Sequence, residues 1–216
     1  RIIQAARSNE KIVVYGDFDV DGVTSTSILY DFLSGLGADV EYYIPDRFSE
    51  GYGLSISAID SIKLKGVSLI VTVDCGTSSF DEIRHINDNS IEVIVTDHHE
   101  CKDSIPEAYA VVNPCRPDCT YPFKDLAGVG VVFKLIHAIC IKLNLKELQY
   151  KYLDLVAIGS VADVVPLTGE NRVIVGCGIE RIEQTLNVGL STLIDKCHIR
   201  DNNITSLAIG FIIAPR

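Results

Sequence analysis

Short apolar runs rich in Val and Ile alternate along the first half of the chain with segments whose apolar residues recur every three or four positions. The runs have the length of buried strands, and the spaced segments have the period of a helix that buries one face. The strands predicted on this basis are 11–15, 40–44, 67–73, 91–96 and 109–113. The helices predicted between them are 24–36, 55–65 and 79–87.

The alternation of strands and helices predicts an α/β fold. Single helices between strands imply right-handed crossovers and a mostly parallel five-stranded sheet flanked by helices. Strands that are apolar throughout, such as VSLIVTV at 67–73, favour a sheet covered on both faces. Beyond Pro122 the pattern predicts only helices, which makes a helical C-terminal part. The helices predicted there are 128–143, 148–161, 171–184 and 190–194.

Composition and charge exclude several classes of protein. With 216 residues and 47% hydrophobic residues, the chain is long and apolar enough to fold around a core. The formal charge of −10 disfavours a free-standing, non-specific DNA binder, because phosphate contacts depend on Lys and Arg. The longest apolar stretch, 129–145, contains Lys134, His137 and Lys142, so no membrane span is predicted. Seven scattered cysteines favour reduced thiols and a cytoplasmic location.

Acidic residues and histidines follow three of the first four predicted strands. The sequence GDFDVDG (16–22) follows the first strand, Asp74 follows the third, and DHHE (97–100) follows the fourth. Because the carboxyl ends of parallel strands meet at one edge of a sheet, where ligands gather, we expect these groups to lie close together. Carboxylates this close repel one another and need a compensating cation.

The ligand types at this edge indicate a particular class of metal. A further carboxylate, Asp163, lies in the apolar stretch IGSVADVVP (158–166), where it is costly unless it is paired or bound to metal. A set of oxygen ligands with imidazoles and without thiolates suits Mn²⁺ or Mg²⁺. The carboxylates are numerous enough to bridge two ions, an arrangement that hydrolyses phosphoesters. The residues therefore predict a metal-dependent phosphoesterase.

These motifs, in this order, resemble those of the DHH phosphoesterases, and most closely those of the RecJ-type single-stranded-DNA exonucleases. The resemblance extends over nearly the whole chain, and the EGYGL and AGVGVVFK stretches favour the RecJ type. The matching stretches are YGDFDVDGVTS (15–25), PDRFSEGYGL (45–54), VDCGTS (73–78), VTDHHE (95–100), NPCRPDCTYPFKDLAGVGVVFKL (113–135) and GSVADVVPLTGENR (159–172).

The resemblance implies a role for each residue at a matching position. It implies that Asp97 orients the histidine pair and that His99 contacts phosphate in the active site. The catalytic residues are then Asp74, His98 and His99. The implied activity is 5′-to-3′ degradation of single-stranded DNA in repair and recombination, with two Mn²⁺ or Mg²⁺ ions. The implied metal ligands are Asp19, Asp21, Asp74, His98 and Asp163, with Asp17 as an accessory or second-site ligand.

The resemblance also implies how the chain is organised. We expect a single DHH domain, with a sheet core at 1–121 and a helical part at 122–199 that carries the last ligand motif. Residues 200–216 are expected to begin a connection to a C-terminal domain that this sequence lacks, so that the chain is an excerpt of a longer protein. Single-stranded DNA is the expected partner, held mainly by the missing part. A single-strand-binding protein and a helicase are further expected partners.

Three alternatives remain open. A small-nucleotide phosphodiesterase or an inorganic pyrophosphatase of the same superfamily would share the metal site. The sequence DVDGVT (19–24) also resembles the opening motif of haloacid-dehalogenase-type phosphatases, in which the strand runs straight into a nucleophilic Asp. Here Gly16-Asp17-Phe18 intervenes. A non-catalytic scaffold of the DHH fold would have lost acidic ligands, whereas this chain retains every candidate.

Overall fold

The computed structural model describes residues 1–102, 104–199 and 204–216 and contains a five-stranded, wholly parallel sheet. The strand order is β2-β1-β3-β4-β5, so the first, third and fourth strands are neighbours at the centre. The α/β prediction is confirmed, and every strand begins and ends within two residues of its predicted bounds. The strands are Ile12–Tyr15 (β1), Val40–Tyr43 (β2), Leu69–Val73 (β3), Glu92–Thr96 (β4) and Ala110–Val112 (β5).

Helices connect the strands and form the C-terminal part. The π-helical turn Ile209–Ile213 directly follows the last short helix. A 3₁₀ helix, Leu148–Tyr152, occupies the start of the single helix predicted at 148–161. The α-helices are Ile2–Arg7 (α1), Val20–Gly35 (α2), Ile56–Lys63 (α3), Phe80–Asp88 (α4), Gly128–Leu143 (α5), Leu153–Ala162 (α6), Gly169–Ile182 (α7), Val188–Lys196 (α8) and Ser206–Ala208 (α9).

Helix α2 begins four residues before its predicted start, because the acidic motif supplies its cap. The Asp19 carboxylate accepts a hydrogen bond from the Gly22 N–H at 2.8 Å, which satisfies one of the free donors of the first turn. Asp21 therefore lies on the first turn of α2 and not in a loop. The helix holds its side chain in a defined direction at the end of β1.

Hydrophobic side chains cover both faces of the sheet, as the apolar strands predicted. On one face α2 and α5 pack against the sheet and bury residues such as Leu29 and Val132 beside Val71. On the other face α3 and α4 bury Ile59 and Ile83. Because alternate strand residues face opposite ways, each central strand contributes to both clusters.

The C-terminal helices form a third cluster that contains Ile158 of α6, Val175 of α7 and Ile194 of α8. Helix α6 also approaches α2 closely: a Cβ atom on Gly159 would lie 2.3 Å from Thr24 Oγ1. This contact brings the end of α6 to the carboxyl edge of the sheet. None of the helices in the described ranges is long and apolar enough to cross a membrane.

Candidate metal centre

The strand order brings the predicted ligands together at the carboxyl edge of the sheet. The ring nitrogen Nε2 of His98, which follows β4, lies 3.2 Å from Asp74 Oδ1 at the end of β3. The same atom lies 3.6 Å from Asp163 Oδ2 at the end of α6 and 3.8 Å from Asp21 Oδ2 on α2. Four residues from four elements therefore converge on one point.

Asp21 is held by the N-terminus of α5. Its Oδ2 accepts a hydrogen bond from the Gly128 N–H at 2.6 Å, and its Oδ1 accepts one from the Val129 N–H at 2.8 Å. Burial raises the pKa of Asp21, the charge of Asp74 raises it further, and the Val129 bond opposes both. The two bonds leave the carboxylate in a fixed orientation toward His98.

Asp74 carries both an unusual backbone and a perturbed carboxyl group. Its φ of +62° lies in the left-handed region, which costs a residue other than glycine about 1 kcal/mol or more. Burial, followed by the charge of Asp19, raises the pKa of Asp74 to about 9. Gly128 packs directly on it, since a Cβ atom there would lie 2.5 Å from Asp74 Oδ1. The fold thus fixes this carboxylate despite the cost.

Three buried polar atoms at this edge have no hydrogen-bond partner among the described residues: Asp17 Oδ2, Asp74 Oδ1 and His98 Nε2. Buried polar atoms are normally paired, so each orphan needs an explanation. Across 1–102, 104–199 and 204–216, no Lys or Arg forms an ion pair with the carboxylates of this site. A divalent cation fits, because it would satisfy the orphaned atoms and offset the clustered negative charge.

Asp17 and Asp19 lie at the margin of the convergent group. The Asp17 carboxylate is buried, accepts a hydrogen bond from the Phe18 N–H, and has a pKa raised to about 6 by burial. Asp19 is exposed and uses one oxygen as the cap of α2. It nevertheless lies near enough for its charge to raise the pKa of both Asp74 and Asp163, after burial.

Asp97 organises the two histidines. Its Oδ1 accepts hydrogen bonds from the N–H groups of His98 and His99 at 2.8 and 3.2 Å and lies 2.7 Å from His99 Nδ1. Burial by itself would raise the pKa of Asp97, but the bonds from His99 and Thr77 outweigh it and lower the pKa to about 2. The Asp97 carboxylate therefore contacts both residues of the histidine pair.

His99 faces the open side of the site. Its hydrogen bond with Asp97 raises its pKa, while burial opposes the shift. Its Nε2 lies 3.0 Å from the Tyr52 hydroxyl, a neighbour that the sequence did not assign to the site. The ligand atoms of His99, Asp74 and His98 lie within 4.8 Å of one another, as do those of Asp21, His98 and Asp163. The two groups overlap at His98, which lies at the centre of the site.

The fold and the site define a class of protein. Residues 11–160 match the DHH family, N-terminal domain, and this chain belongs to the DHH family. The match includes the acidic motif after β1, Asp74 and the histidine pair after β4. Membership of this family excludes the haloacid-dehalogenase alternative, whose chemistry uses a nucleophilic Asp.

The similar proteins narrow the comparison to one type within the family. The single-stranded-DNA-specific exonuclease RecJ of Bacillus subtilis is 49% identical over 216 residues, which are 100% of this chain and 27% of that protein. RecJ of Thermus thermophilus is 38% identical, with 99% of this chain and 31% of that protein covered. This chain thus spans less than a third of the length of these two curated relatives.

Two solved structures confirm the fold. The crystal structure of an exonuclease RecJ bound to manganese superposes with a TM-score of 0.90 at 39% identity, over 99% of this chain and 54% of that chain. RecJ of Thermus thermophilus in complex with Mn²⁺ gives a TM-score of 0.84 at 36% identity, over 99% of this chain and 30% of that chain.

Proposed function

We propose that this chain is the metal-binding catalytic part of a RecJ-type exonuclease that degrades single-stranded DNA from 5′ to 3′ in repair and recombination. The observation that carries the proposal is the pair of buried, unpartnered atoms Asp74 Oδ1 and His98 Nε2 among carboxylates. The likeness to RecJ proteins, two of them solved with manganese, supports the substrate and the metal. The proposed ligands are Asp19, Asp21, Asp74, His98 and Asp163, with Asp17 as an accessory ligand.

The cofactor that we propose is Mn²⁺ or Mg²⁺, as two ions. When bound, such ions activate a water molecule and neutralise charge at the phosphate. The side chains of this protein supply the positioning and the hydrogen-bond donor. Asp21 and Asp74 are set rigidly by α5 and by the turn after β3. Asp97 engages Nδ1 of His99 and stabilises its protonated form, so that Nε2–H can be donated to a phosphate oxygen in place of the Tyr52 contact.

The proposed organisation is one DHH domain over 1–216, with a sheet core at 1–121 and a helical part at 122–199. Residues 200–216, of which 200–203 lie outside the described residues, would lead to a further domain that holds most of the DNA. The length of the curated relatives supports this proposal. We further propose that the protein acts in the cytoplasm beside a single-strand-binding protein and a helicase.

The proposal is tested by Asp74→Asn, which keeps the shape of the side chain and removes its charge. Calorimetry on the 216-residue chain is expected to show Mn²⁺ affinity at least about tenfold weaker than in the wild type. Asp118→Asn makes the same change at an exposed residue that pairs with Arg116, and its affinity is expected to match the wild type. Wild-type affinity in the Asp74 variant would contradict the proposed ligand set.

Hydrolysis is tested in the full-length protein, with substrates labelled at either end. Single-stranded DNA is expected to lose nucleotides from its 5′ end, and Asp74→Asn is expected to abolish the reaction. Dinucleotides and pyrophosphate serve as the competing substrates. Faster turnover of either one than of single-stranded DNA would favour the alternative within the superfamily.

A further inference from the structure

Two buried polar residues lie behind the histidine pair. Asn113 directly follows β5 and is 3% exposed, and Thr77 lies in the turn after β3 and is 1% exposed. The ladder between β4 and β5 pairs Thr96 with Val112, and the Asp97 N–H donates to the Val112 carbonyl at 3.1 Å. The edge strand therefore places Asn113 beside the turn that carries the histidines.

Asn113 makes three hydrogen bonds with its side chain. Its Nδ2 donates to Thr77 Oγ1 at 3.0 Å and to the His99 carbonyl at 2.9 Å, and its Oδ1 accepts from the Cys115 N–H at 2.7 Å. Both amide protons and the carbonyl oxygen are thus engaged. A side chain with all its hydrogen bonds made inside the protein has one well-defined orientation.

Thr77 continues the connection to Asp97. Its N–H donates to Asp97 Oδ2 at 2.9 Å. Its hydroxyl accepts from Asn113, and a side-chain hydrogen bond from Thr77 is among the causes that lower the pKa of Asp97. The bonds run from Asn113 to Thr77, to Asp97 and to His99, whose carbonyl returns to Asn113. We call this closed circuit the Asn113 ring.

We propose that Asn113 and Thr77 are positioning residues that act through Asp97 to hold the turn of His98 and His99. The inference deepens the proposed function and rests on it for the reaction itself. The backbone N–H groups of both histidines donate to the same Asp97 oxygen, so a movement of that carboxylate moves both imidazole side chains. Partners that orient metal-ligating histidines typically contribute tenfold to a hundredfold to metal affinity or activity.

The proposal is tested with a pair of variants at one position. Thr77→Val keeps the shape and removes the hydroxyl, whereas Thr77→Ser keeps the hydroxyl. In the metal-free 216-residue chain, the ¹⁵N signal of His99 Nδ1 at fixed pH is expected to move in the Val variant and to stay in place in the Ser variant. Mn²⁺ affinity measured by calorimetry is expected to fall about tenfold or more in the Val variant only.

A second pair separates positioning from general stability. Asn171 is also buried, and its Nδ2 donates to the carbonyls of Asp125 and Pro166 at 2.6 and 3.0 Å, outside the ring. Asn113→Ala and Asn171→Ala are both expected to lower the melting temperature, but only Asn113→Ala is expected to shift the His99 signal. In the full-length enzyme Asn113→Ala is expected to lower kcat and leave KM near its wild-type value.

Two results would overturn the inference. One is an unchanged His99 signal and Mn²⁺ affinity in both Thr77→Val and Asn113→Ala. The other is an equal shift of the His99 signal in Asn171→Ala. Failure of the proposed function looks different, because the wild-type chain itself would then bind no Mn²⁺, while the metal-free comparison of His99 signals would still decide the role of the Asn113 ring.

Discussion

At the scale of single residues, the site is an accumulation of groups that are unfavourable in the absence of a cation. Asp74 combines a left-handed backbone, a buried carboxyl group and an unpartnered oxygen. The buried ring nitrogen Nε2 of His98 faces three carboxylates and makes no hydrogen bond within the part of the chain that the structure describes. A fold retains such groups where they serve a ligand, because each of them costs stability by itself.

The raised pKa of Asp74 predicts how the stability of the metal-free chain depends on pH. The usual pKa is 3.8 and the folded value is about 9, so ionisation is disfavoured in the folded state. The contribution of this group to the stability of the folded chain is then fully present below about pH 4 and is lost as pH rises toward 9. In urea unfolding of the metal-free chain, we expect the free energy of unfolding to fall between pH 5 and pH 9. The fall is expected to be smaller in Asp74→Asn than in the wild type by at least about 2 kcal/mol.

The control is the same titration in Asp118→Asn, whose exposed carboxyl group has a pKa lowered by Arg116. Its pH profile between 5 and 9 is expected to follow the wild type. An identical loss of stability in the wild type and in Asp74→Asn would show that the Asp74 carboxyl group does not resist ionisation.

At the scale of elements, the sequence pattern predicted the strands because each strand is a short, continuous apolar run. Helix α5 begins and ends at its predicted residues, since its apolar face is long and regular. The short helices α1 and α9 were missed, because three to six residues are too few to show a period. The start of α2 was missed because its cap is part of the acidic motif.

Close packing of α6 on α2 positions Asp163 and gives a prediction for Gly159→Ala. The added Cβ would lie 2.3 Å from Thr24 Oγ1 and 2.8 Å from Val129 Cγ1, so α6 must move away from α2. We expect a loss of about 1–3 kcal/mol in the free energy of unfolding. We also expect weaker Mn²⁺ binding by calorimetry, because Asp163 follows the end of α6.

Gly176 of α7 provides the matched control, since a Cβ atom there would meet no atom of the described residues within 4 Å. Gly176→Ala replaces a helical glycine in open space, so it is expected to raise stability by up to about 1 kcal/mol and leave Mn²⁺ affinity unchanged. Equal Mn²⁺ affinity in the Gly159 and Gly176 variants would show that the packing of α6 on α2 does not affect metal binding.

At the scale of the whole molecule, the formal charge of −10 includes the carboxylates gathered at one edge of the sheet. Each divalent ion adds two positive charges, so two ions would change the formal charge to −6. Part of the acidity that disfavoured nucleic acid in the sequence thus belongs to the proposed metal site. The remaining negative charge agrees with the proposal that another part of a longer protein holds most of the DNA.

Metal binding is expected to stabilise the whole folded chain, because the ligands come from elements that unfolding separates. At a free Mn²⁺ concentration one hundred times its dissociation constant, the stabilisation is about 2.7 kcal/mol for one site. Calorimetric melting should therefore show a higher melting temperature with Mn²⁺ that EDTA reverses. Asp74→Asn should lose most of this increase. An increase of the same size in that variant would place the stabilising ion elsewhere.

The sequence by itself determined the alternation of strands and helices, the choice of an α/β fold and the oxygen-rich chemistry at three strand ends. Those features depend on neighbouring residues, so a local pattern contains them. The tertiary structure decided the strand order that makes β1, β3 and β4 adjacent, the clamp of α5 on Asp21, and the Asn113 ring. These contacts join residues far apart in the chain, and only packing of the elements around a common core brings them together.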